Sequence, residues 1–337
     1  IFHGLLTNLY YLIGTKLQNI LKNKNILVLG GSGFIGSNLI SALTEYSSNL
    51  KATYLNNKPR IINSDIEWIK ADLTDPNVYK NLMANIDYVF ISSAYTRGAS
   101  VIVNSPMDLV TQNIVMNSYI FDQCYKNNIE KLLFISSSVV YPEKENNSMV
   151  ETQSMTGNPP NIYFPVGWMK RYSELLSRTY SENIKDGFKT VIIRPSNIYG
   201  PYDNFDPEES HVIPSLIRRV VNKEKPFEIW GNGKDQRDFI YIDDFIDGVI
   251  NAFNTNFKYL DLNLSANKNF SINDVLNTLF KIENYHPKIK YNLDKPQTIK
   301  SRHISNEKAS KLIAFQPKVN LLNGLKKTIE WYKKNEL

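Results

Sequence analysis

The sequence is poor in several features that mark particular classes of protein. It has a single cysteine, Cys124, which excludes an internal disulfide framework and fits a reducing cytoplasm. It has no stretch of eighteen apolar residues, so we expect no membrane-spanning helix. The net charge of +6 comes from scattered lysines without a basic block, which favours a solvated surface over a nucleic-acid interface. No metal site is expected.

The first 22 residues have a helical pattern of their own. Apolar residues recur every four positions, which predicts an amphipathic helix over residues 1–22. We expect this helix to dock on the core or on a second subunit. Thr7, Asn8 and Gly14 interrupt the apolar run, and no basic region precedes it, which argues against a signal peptide or a membrane-surface helix. The apolar positions are Leu5, Leu9, Ile13, Leu17 and Leu21.

From residue 25 onward, short apolar runs alternate with longer amphipathic stretches. The short runs are rich in aliphatic or β-branched residues, which is typical of strands, and the longer stretches have helical spacing. This alternation predicts an α/β fold of the Rossmann type, a doubly wound parallel sheet with helices on both faces. The strands are predicted at Ile26–Leu29, Ala52–Leu55, Ile66–Ile69, Tyr88–Ile91, Lys131–Ile135 and Thr190–Ile193, and three helices at Asn38–Tyr46, Val110–Lys126 and Lys170–Asn183.

The alternation breaks after Pro201. A loop rich in Asp, Glu and Pro follows, and then helices, short strands and a final amphipathic helix over Leu321–Lys334. We therefore expect a Rossmann domain over residues 23–200 and a smaller α/β lobe over residues 201–337, with some return of the latter to the Rossmann sheet. A cleft between two such lobes is where a second ligand would bind.

A glycine-rich turn follows the first predicted strand directly. Gly30, Gly33 and Gly36 have GxxGxxG spacing, and a helix is predicted to begin near Ser37. Such a turn lets the backbone approach a pyrophosphate at the helix N-terminus, which predicts a dinucleotide site. The residues expected to contact the cofactor here are Gly30, Gly33, Phe34, Ile35 and Gly36.

The second predicted strand lacks the acidic residue that usually binds the ribose hydroxyls of NAD. Asn56, Lys58 and Arg60 follow it instead, and polar or cationic groups suit the 2′-phosphate of NADP. We therefore expect NADP(H) or NAD(H), with NADP mildly favoured; an ordinary basic turn is the alternative. Asp72 and Leu73 close the third strand, where a carboxylate can accept a bond from the adenine amino group.

Several segments together resemble a known family. The glycine loop, Asp72-Leu73 and segments 134–141, 167–170 and 194–201 are similar to those of extended short-chain dehydrogenases/reductases of the NAD-dependent epimerase/dehydratase group. The similarity runs in order from about residue 25 to the end of the sequence. It implies a nucleotide-sugar substrate, contacts from Pro195 and Asn197 to the ligands, and a homodimer formed by two helices of the sheet layer.

One segment narrows the resemblance further. Residues 203–214, followed by two arginines, are most similar to the GDP-L-fucose synthases, which implies a GDP-sugar-like substrate. By that resemblance His211 is an epimerisation acid, and Arg219, Trp230 and Arg237 bind the nucleotide diphosphate and sugar, Asn197 also being at the substrate. Arginine forks fit a diphosphate, and an indole face fits a sugar or a base.

The family's reaction uses serine, tyrosine and lysine. The resemblance places Ser137 at the serine position and Lys170 at the lysine position, but the residue four before the lysine is Val166. Losing a general acid removes about 10²- to 10⁴-fold of rate. Three explanations compete: an engineered substitution, an enzyme with another proton donor, and a non-catalytic binder. Tyr163 is the nearest other donor, but Pro165 is predicted to start the helix and to leave Tyr163 before it.

A second departure concerns epimerisation. GDP-L-fucose synthases have a cysteine two residues after the serine, and this sequence has Val139 there. A 3,5-epimerase activity is therefore not expected, whereas a reductase or 4-epimerase remains compatible. The predicted function is an NAD(P)-dependent nucleotide-sugar epimerase/reductase with a valine in its catalytic site; the alternative is a pseudoenzyme that binds the same ligands.

Overall fold

The computed structural model describes residues 20–46, 49–96, 106–143, 148–294, 299 and 301–337. The predicted amphipathic helix over residues 1–22 lies almost entirely outside these ranges. Within them, no helix is long and apolar enough to cross a bilayer. The same residues contain no group of three or more His, Cys, Asp or Glu side chains placed to hold a metal ion.

Seven parallel strands form the central sheet, in the order β3-β2-β1-β4-β5-β7-β11. The chain starts in the middle of the sheet and winds first to one edge and then to the other, which is the doubly wound topology that the sequence predicted. The strands are β1 (Ile26–Leu29), β2 (Leu50–Tyr54), β3 (Ile66–Lys70), β4 (Tyr88–Ile91), β5 (Lys131–Ile135), β7 (Lys189–Pro195) and β11 (Tyr259–Leu264).

Helices cover both faces of this sheet because successive strand residues point to opposite sides. Ile26 and Val28 of β1 belong to the core formed with helices α1 and α6. Leu27 and Leu29 of the same strand belong to the core formed with α3. The helices of this layer are α1 (Phe34–Leu43), the short α2 (Tyr79–Leu82), α3 (Pro106–Lys126), α4 (Phe164–Arg178) and α6 (Ile242–Phe253).

A smaller lobe is built from β6 (Ser148–Met149) and from the elements after residue 196 that do not join the central sheet layer. Strand β10 pairs in parallel with β8 and β14 and antiparallel with β12, and β14 continues to β6. A separate parallel pair joins β9 and β13. The elements are β6 (Ser148–Met149), β8 (Asn197–Tyr199), α5 (Val212–Val221), β9 (Phe227–Trp230), β10 (Gln236–Tyr241), β12 (Asn269–Ser271), α7 (Ile272–Ile282), β13 (Ile289–Asn292), β14 (Ser301–Ile304), α8 (Glu307–Ile313) and α9 (Leu321–Asn335).

The predicted elements are present, and their boundaries differ most at α4. The sequence placed this helix at Lys170–Asn183, whereas α4 begins six residues earlier, and residues 179–183 form a wider π-helical turn. Pro165 lies in the first helical turn, where its missing N–H costs nothing. Cys124 is buried in α3, as expected for a small core residue.

Candidate active site

The glycine loop joins β1 to α1 and leans on the end of β2. Gly30 has a left-handed backbone, with a φ of 79°, and its N–H donates to Thr53 Oγ1 at 2.9 Å. The Gly31 N–H donates to the Thr53 carbonyl at 2.8 Å. The N-cap of α1 is Gly33, so no side chain caps the helix. The first N–H groups of α1 therefore lack an intrahelical acceptor, which is the arrangement that binds phosphate.

The three motif glycines are crowded to different degrees. A Cβ on Gly30 would lie 2.6 Å from Ser93 Cα, and a Cβ on Gly36 would lie 2.1 Å from the Gly30 carbonyl oxygen. Among the described residues, a Cβ on Gly33 would meet only that same oxygen, at 3.4 Å. The loop is thus tightly packed behind Gly30 and Gly36 and open beside Gly33. This open cradle at a helix N-terminus fits the pyrophosphate of a dinucleotide.

An ionised carboxylate lies beyond β3. Asp72 accepts hydrogen bonds from the Thr74 N–H at 2.9 Å and the Thr74 hydroxyl at 2.7 Å. These bonds, with a further one from the Tyr95 side chain, lower the pKa of Asp72. Leu73, the next residue, is buried. The predicted adenine contact is therefore a fixed acceptor that stays charged at neutral pH.

The groups expected to bind a 2′-phosphate lie after β2. Asn56 and Lys58 are exposed. Arg60 is also exposed, but its Nη1 lies 3.0 Å from Glu336 Oε1 and its guanidinium lies 5.8 Å from the centroid of the Trp331 ring. Arg60 is therefore already paired with a carboxylate at the end of α9, a contact that no local sequence pattern predicts.

The lysine and the valine share one face of α4 because they are four residues apart. The Lys170 ammonium donates to the Ile135 carbonyl at 3.2 Å and lies 4.8 Å from the centroid of the Phe134 ring. Burial lowers the pKa of Lys170 to about 8, although the nearby Glu174 carboxylate raises it. Lys170 is thus mainly protonated at neutral pH and becomes neutral above pH 8. Val166 is half-buried.

Tyr163 is the N-cap of α4, so the structure confirms that it precedes the helix. Its ring lies 5.6 Å from the guanidinium of Arg302 on β14. It is therefore fixed beside an arginine of the smaller lobe and is not one helical turn from Lys170. This position gives no support to Tyr163 as a replacement for the missing tyrosine.

The serine turn packs directly on α4. Ser137 Oγ accepts the N–H of Val139 at 3.3 Å and so starts a short 3-10 turn. Arg171 Nε donates to the Val140 carbonyl at 2.8 Å. A Cβ on Gly167 would lie 2.7 Å from the Val139 carbonyl oxygen, so only glycine allows this approach. These contacts hold the serine against the first turns of the helix that carries the lysine.

A chain of buried charges lies behind the lysine and the serine. Arg194 on β7 is paired with Glu174 of α4 at 2.7 Å and with Asp261 of β11 at 2.9 Å. Asp261 is paired in turn with Lys308 of α8 at 2.5 Å. The Ser136 hydroxyl also donates to Glu174. Since Glu174 and Arg194 are no more than 1% exposed, this pair is screened from water.

The predicted substrate residues on α5 lie in different environments. His211 is the N-cap of the helix and is exposed, yet the protein atoms around its ring lower the pKa of the imidazole. It is therefore mainly neutral at pH 7. Arg219 forms a forked ion pair with Glu224, with distances of 2.9 and 2.8 Å, and its guanidinium lies 4.5 Å from the centroid of the Phe227 ring. The Arg219 guanidinium is therefore already paired with a carboxylate of the smaller lobe.

Two arginines lie side by side on the small sheet. Arg237 of β10 and Arg302 of β14 are paired in register, so their side chains emerge on the same face. Burial, with the like charge of Arg237 adding to it, lowers the pKa of Arg302 to about 10. Arg302 Nη2 is buried without a hydrogen-bond partner among the described residues. Two neighbouring guanidinium groups with an open donor fit a diphosphate.

The remaining predicted residues lie around this sheet. Trp230 ends β9 and is 54% exposed. Asn197 begins β8 with an exposed side chain whose Nδ2 donates to the Asp238 carbonyl at 2.9 Å. Pro195 ends β7, and only Ser196 separates it from the start of β8. Asn197 and Trp230 therefore lie on strands of the smaller lobe, and Pro195 lies at the end of a central strand that leads into it.

Comparison with known proteins identifies the family. The model of the NAD dependent epimerase/dehydratase family matches residues 26–264, which is more than half of the chain. The chain belongs to this family. GDP-L-fucose synthase 1 of Arabidopsis thaliana is 25% identical to it over 96% of this chain and 98% of that protein.

Solved structures of other family members share the fold. UDP-glucose 4-epimerase of Thermotoga maritima superposes with a TM-score of 0.83 at 23% identity, over 93% of this chain and 100% of that one. UDP-glucuronic acid 4-epimerase of Bacillus cereus, solved with UDP-glucuronic acid and NAD, has a TM-score of 0.79 at 28% identity, over 92% of this chain and 99% of that one. The fold is therefore that of the extended short-chain epimerases.

Within this family member, sequence reasoning missed three side chains of the site. Thr53 holds the glycine loop through its hydroxyl, Tyr95 contacts Asp72, and Arg302 lies beside Arg237. A threonine before the end of β2 was visible in the sequence, but its target was not. The pairing of Arg302 with Arg237 is not visible in the sequence, because the two residues are 65 positions apart and meet only through strand register.

Proposed function

We propose that the protein is an NAD(P)-dependent nucleotide-sugar epimerase/reductase, acting on a GDP-sugar-like substrate by hydride transfer at a sugar carbon. The single observation that supports it most is the open cradle at Gly33 on the same sheet edge as the serine turn and the α4 lysine. The similarity of the whole chain to GDP-L-fucose synthases supports the GDP-sugar. We place this activity in the cytoplasm, as expected for a chain whose one cysteine is buried.

The residues of this chain have separate tasks in that proposal. The first N–H groups of α1 bind the pyrophosphate, and Asp72 accepts a bond from the adenine. Lys58 and Arg60 lie where a 2′-phosphate would bind, which mildly favours NADP(H) over NAD(H). A bound nicotinamide ring supplies the hydride donor or acceptor. Ser137 holds the reacting sugar oxygen by a hydrogen bond.

The substrate is bound mainly by the smaller lobe. Arg237 and Arg302 bind the diphosphate, and Trp230 packs on the sugar or base. Arg219 joins them only if it leaves Glu224. His211, neutral at pH 7, is placed at the substrate as a group that accepts or donates a proton. In this proposal the two ligands are divided between the Rossmann domain expected over residues 23–200 and the substrate lobe expected over residues 201–337.

Val166 limits the chemistry of this chain. A valine has no proton to exchange with the sugar oxygen, so the step that a tyrosine performs one turn before Lys170 has no donor at that position. This observation favours the second candidate function, a non-catalytic protein that binds the dinucleotide and the nucleotide sugar. The two candidates share every binding residue and differ only in turnover.

Replacing the valine distinguishes the two candidates. We expect Val166→Tyr to raise the rate of NAD(P)H formation or consumption with a GDP-sugar by about 10²- to 10⁴-fold, because a phenol beside the Lys170 ammonium is acidic enough to exchange a proton. Val166→Phe is the matched control, since it adds the ring without the hydroxyl. The assay uses GDP-, UDP- and dTDP-sugars with each cofactor.

Each outcome of that assay has a defined meaning. A gain in Val166→Tyr that is absent in Val166→Phe supports the enzyme. If both variants remain inactive but still bind cofactor and sugar nucleotide in titration calorimetry, the result supports the non-catalytic binder. A protein that binds neither cofactor contradicts both.

We also propose that the protein is a homodimer that pairs through α3 and α4. The outer face of α4 carries four exposed apolar side chains at helical spacing, and an apolar stripe of this kind marks an interaction surface. A two-fold contact would place α3 and α4 of each subunit in a four-helix bundle. The stripe consists of Phe164, Trp168, Tyr172 and Leu175.

A further inference from the structure

Arg60 is held by the end of α9 and not by its own loop. Its Nη1 lies 3.0 Å from Glu336 Oε1, and its guanidinium lies 5.8 Å from the centroid of the Trp331 ring. The side chains of Arg60 and Glu336 are 43% and 29% exposed, so the pair lies at the surface and can exchange partners. A second anion that reaches Arg60 must compete with this carboxylate.

The loop that carries Arg60 continues directly from the cofactor edge of the sheet. The end of β2 is fixed to the glycine loop by the hydrogen bonds of Thr53 to Gly30 and Gly31. The loop then passes through Lys58 and Pro59 to Arg60, without an acidic residue. The carboxylate beside Arg60 thus comes from Glu336, 276 positions away, and not from an acid on the loop itself.

We propose that Glu336 is a specificity-determining residue that competes with the 2′-phosphate of NADP(H) for Arg60. Without the phosphate, Glu336 neutralises Arg60; with it, the guanidinium turns to the phosphate, and Glu336 is left unpaired. Glu336 therefore lowers the affinity for NADP(H) and leaves the affinity for NAD(H) unchanged. This inference rests on the proposed dinucleotide site.

The size of the effect follows from the exposure of the pair. Ion pairs at this depth are weak, and their loss changes an equilibrium by about two- to fivefold. When Glu336 is replaced by glutamine, the 2′-phosphate can bind an arginine that has no competing carboxylate. The phosphate also escapes repulsion from that carboxylate. Salt screens both interactions. The effect of Glu336 on the affinity for NADP(H) relative to NAD(H) must therefore shrink as ionic strength rises.

Titration of the full chain with NAD⁺ and NADP⁺ tests the proposal. We expect Glu336→Gln to tighten NADP⁺ binding about two- to fivefold at low salt and to leave NAD⁺ binding unchanged. Glu330→Gln is the matched control, because it removes the same charge from an exposed position of the same helix. Arg60→Met is expected to weaken NADP⁺ binding alone. Adding Glu336→Gln to it is expected to give a smaller gain than Glu336→Gln gives in wild type, because only the repulsion between the carboxylate and the phosphate is then removed.

The outcomes separate this proposal from the one on which it rests. If wild type binds NAD⁺ but Glu336→Gln leaves the ratio of the two affinities unchanged, the role of Glu336 is refuted and the dinucleotide site stands. If Glu330→Gln has the same effect as Glu336→Gln, the cause is net charge, and the role is again refuted. If folded wild type binds neither cofactor at millimolar concentration, the dinucleotide site itself is wrong, and this inference is wrong with it.

Discussion

At the scale of single residues, close packing fixes some positions around the candidate site and leaves others open. Val166 and Lys170 share a helix face, but only the lysine carries a proton, and its ammonium is fixed on a backbone carbonyl of β5. The serine turn reaches α4 only because Gly167 has no side chain. The serine turn and Lys170 are therefore both anchored on α4 or beside it, whereas Val166 has no proton to exchange.

The glycines of the phosphate loop give a residue-scale prediction. We expect Gly36→Ala to destabilise the fold strongly, because its Cβ would lie 2.1 Å from the Gly30 carbonyl oxygen. Gly33→Ala is the matched variant: its Cβ has room at 3.4 Å, and its φ of −76° suits alanine, so stability is retained. Its methyl group would fill the open cradle, so dinucleotide binding is expected to fall at least tenfold.

Thermal melting and cofactor titration of both variants check this pair. Gly33→Ala should melt within a few degrees of wild type and bind NAD⁺ and NADP⁺ poorly. Full binding by Gly33→Ala would show that the pyrophosphate lies elsewhere. An unchanged melting temperature for Gly36→Ala would contradict the packing of the loop on α1.

At the scale of elements, a chain of charged side chains joins α4 to the two strands at one edge of the central sheet and to the smaller lobe. Glu174 of α4, Arg194 of β7 and Asp261 of β11 form one continuous chain, which ends at Lys308 of α8. The innermost pair is sealed from solvent, whereas Lys308 is 36% exposed. Removing the charge of Glu174 or Arg194 therefore leaves its partner as an uncompensated buried charge, whereas removing the charge of Lys308 does not.

Arg194→Met tests this arrangement. It leaves the Glu174 carboxylate buried without its partner, so we expect the free energy of unfolding to fall by about 3–5 kcal/mol. Lys308→Met is the control at the exposed end of the same chain and is expected to cost about 1 kcal/mol or less. Denaturant titration measures both values. The double change Glu174→Leu with Arg194→Met should cost less than Arg194→Met alone, and a simple sum of the single effects would disprove the pairing.

At the scale of the whole molecule, helix α4 contributes side chains both to the candidate site and to the exposed surface. The inner face of α4 carries Val166 and Lys170, and its outer face carries the exposed apolar stripe of Phe164, Trp168, Tyr172 and Leu175. Burying that stripe in a dimer would fix the helix that holds the lysine. The proposed dimer therefore contributes to the order of the site as well as to assembly.

A charge in the stripe tests the dimer. Leu175→Glu is expected to shift the protein from dimer to monomer, because a carboxylate buried in an apolar contact has no partner. Phe257→Glu, at a similarly exposed aromatic residue between α6 and β11, is the control and should stay dimeric. Sedimentation or light scattering at micromolar concentration measures the mass. A monomeric wild type, or a dimeric Leu175→Glu, would show that α4 is not the interface.

Local sequence patterns predicted six of the seven strands of the central sheet, the glycine-rich turn after β1 and the shared helix face of Val166 and Lys170. These depend on local patterns: strand and helix periodicity, glycine spacing, and the distance of four residues that places Val166 and Lys170 on one helix face. Pro165 also marked the start of α4 correctly, although the helical spacing was recognised only from Lys170 onward.

Which distant side chains meet depends on the packed fold and is not visible in local sequence. The pairing of Arg237 with Arg302, of Arg60 with Glu336, and of Arg194 with Glu174 joins residues on separate elements. Whether these residues meet depends on strand register and helix docking, and no single residue of the sequence encodes either. Local sequence therefore specifies what each group can do chemically, and the packed fold specifies which partner it has and hence its charge and its task.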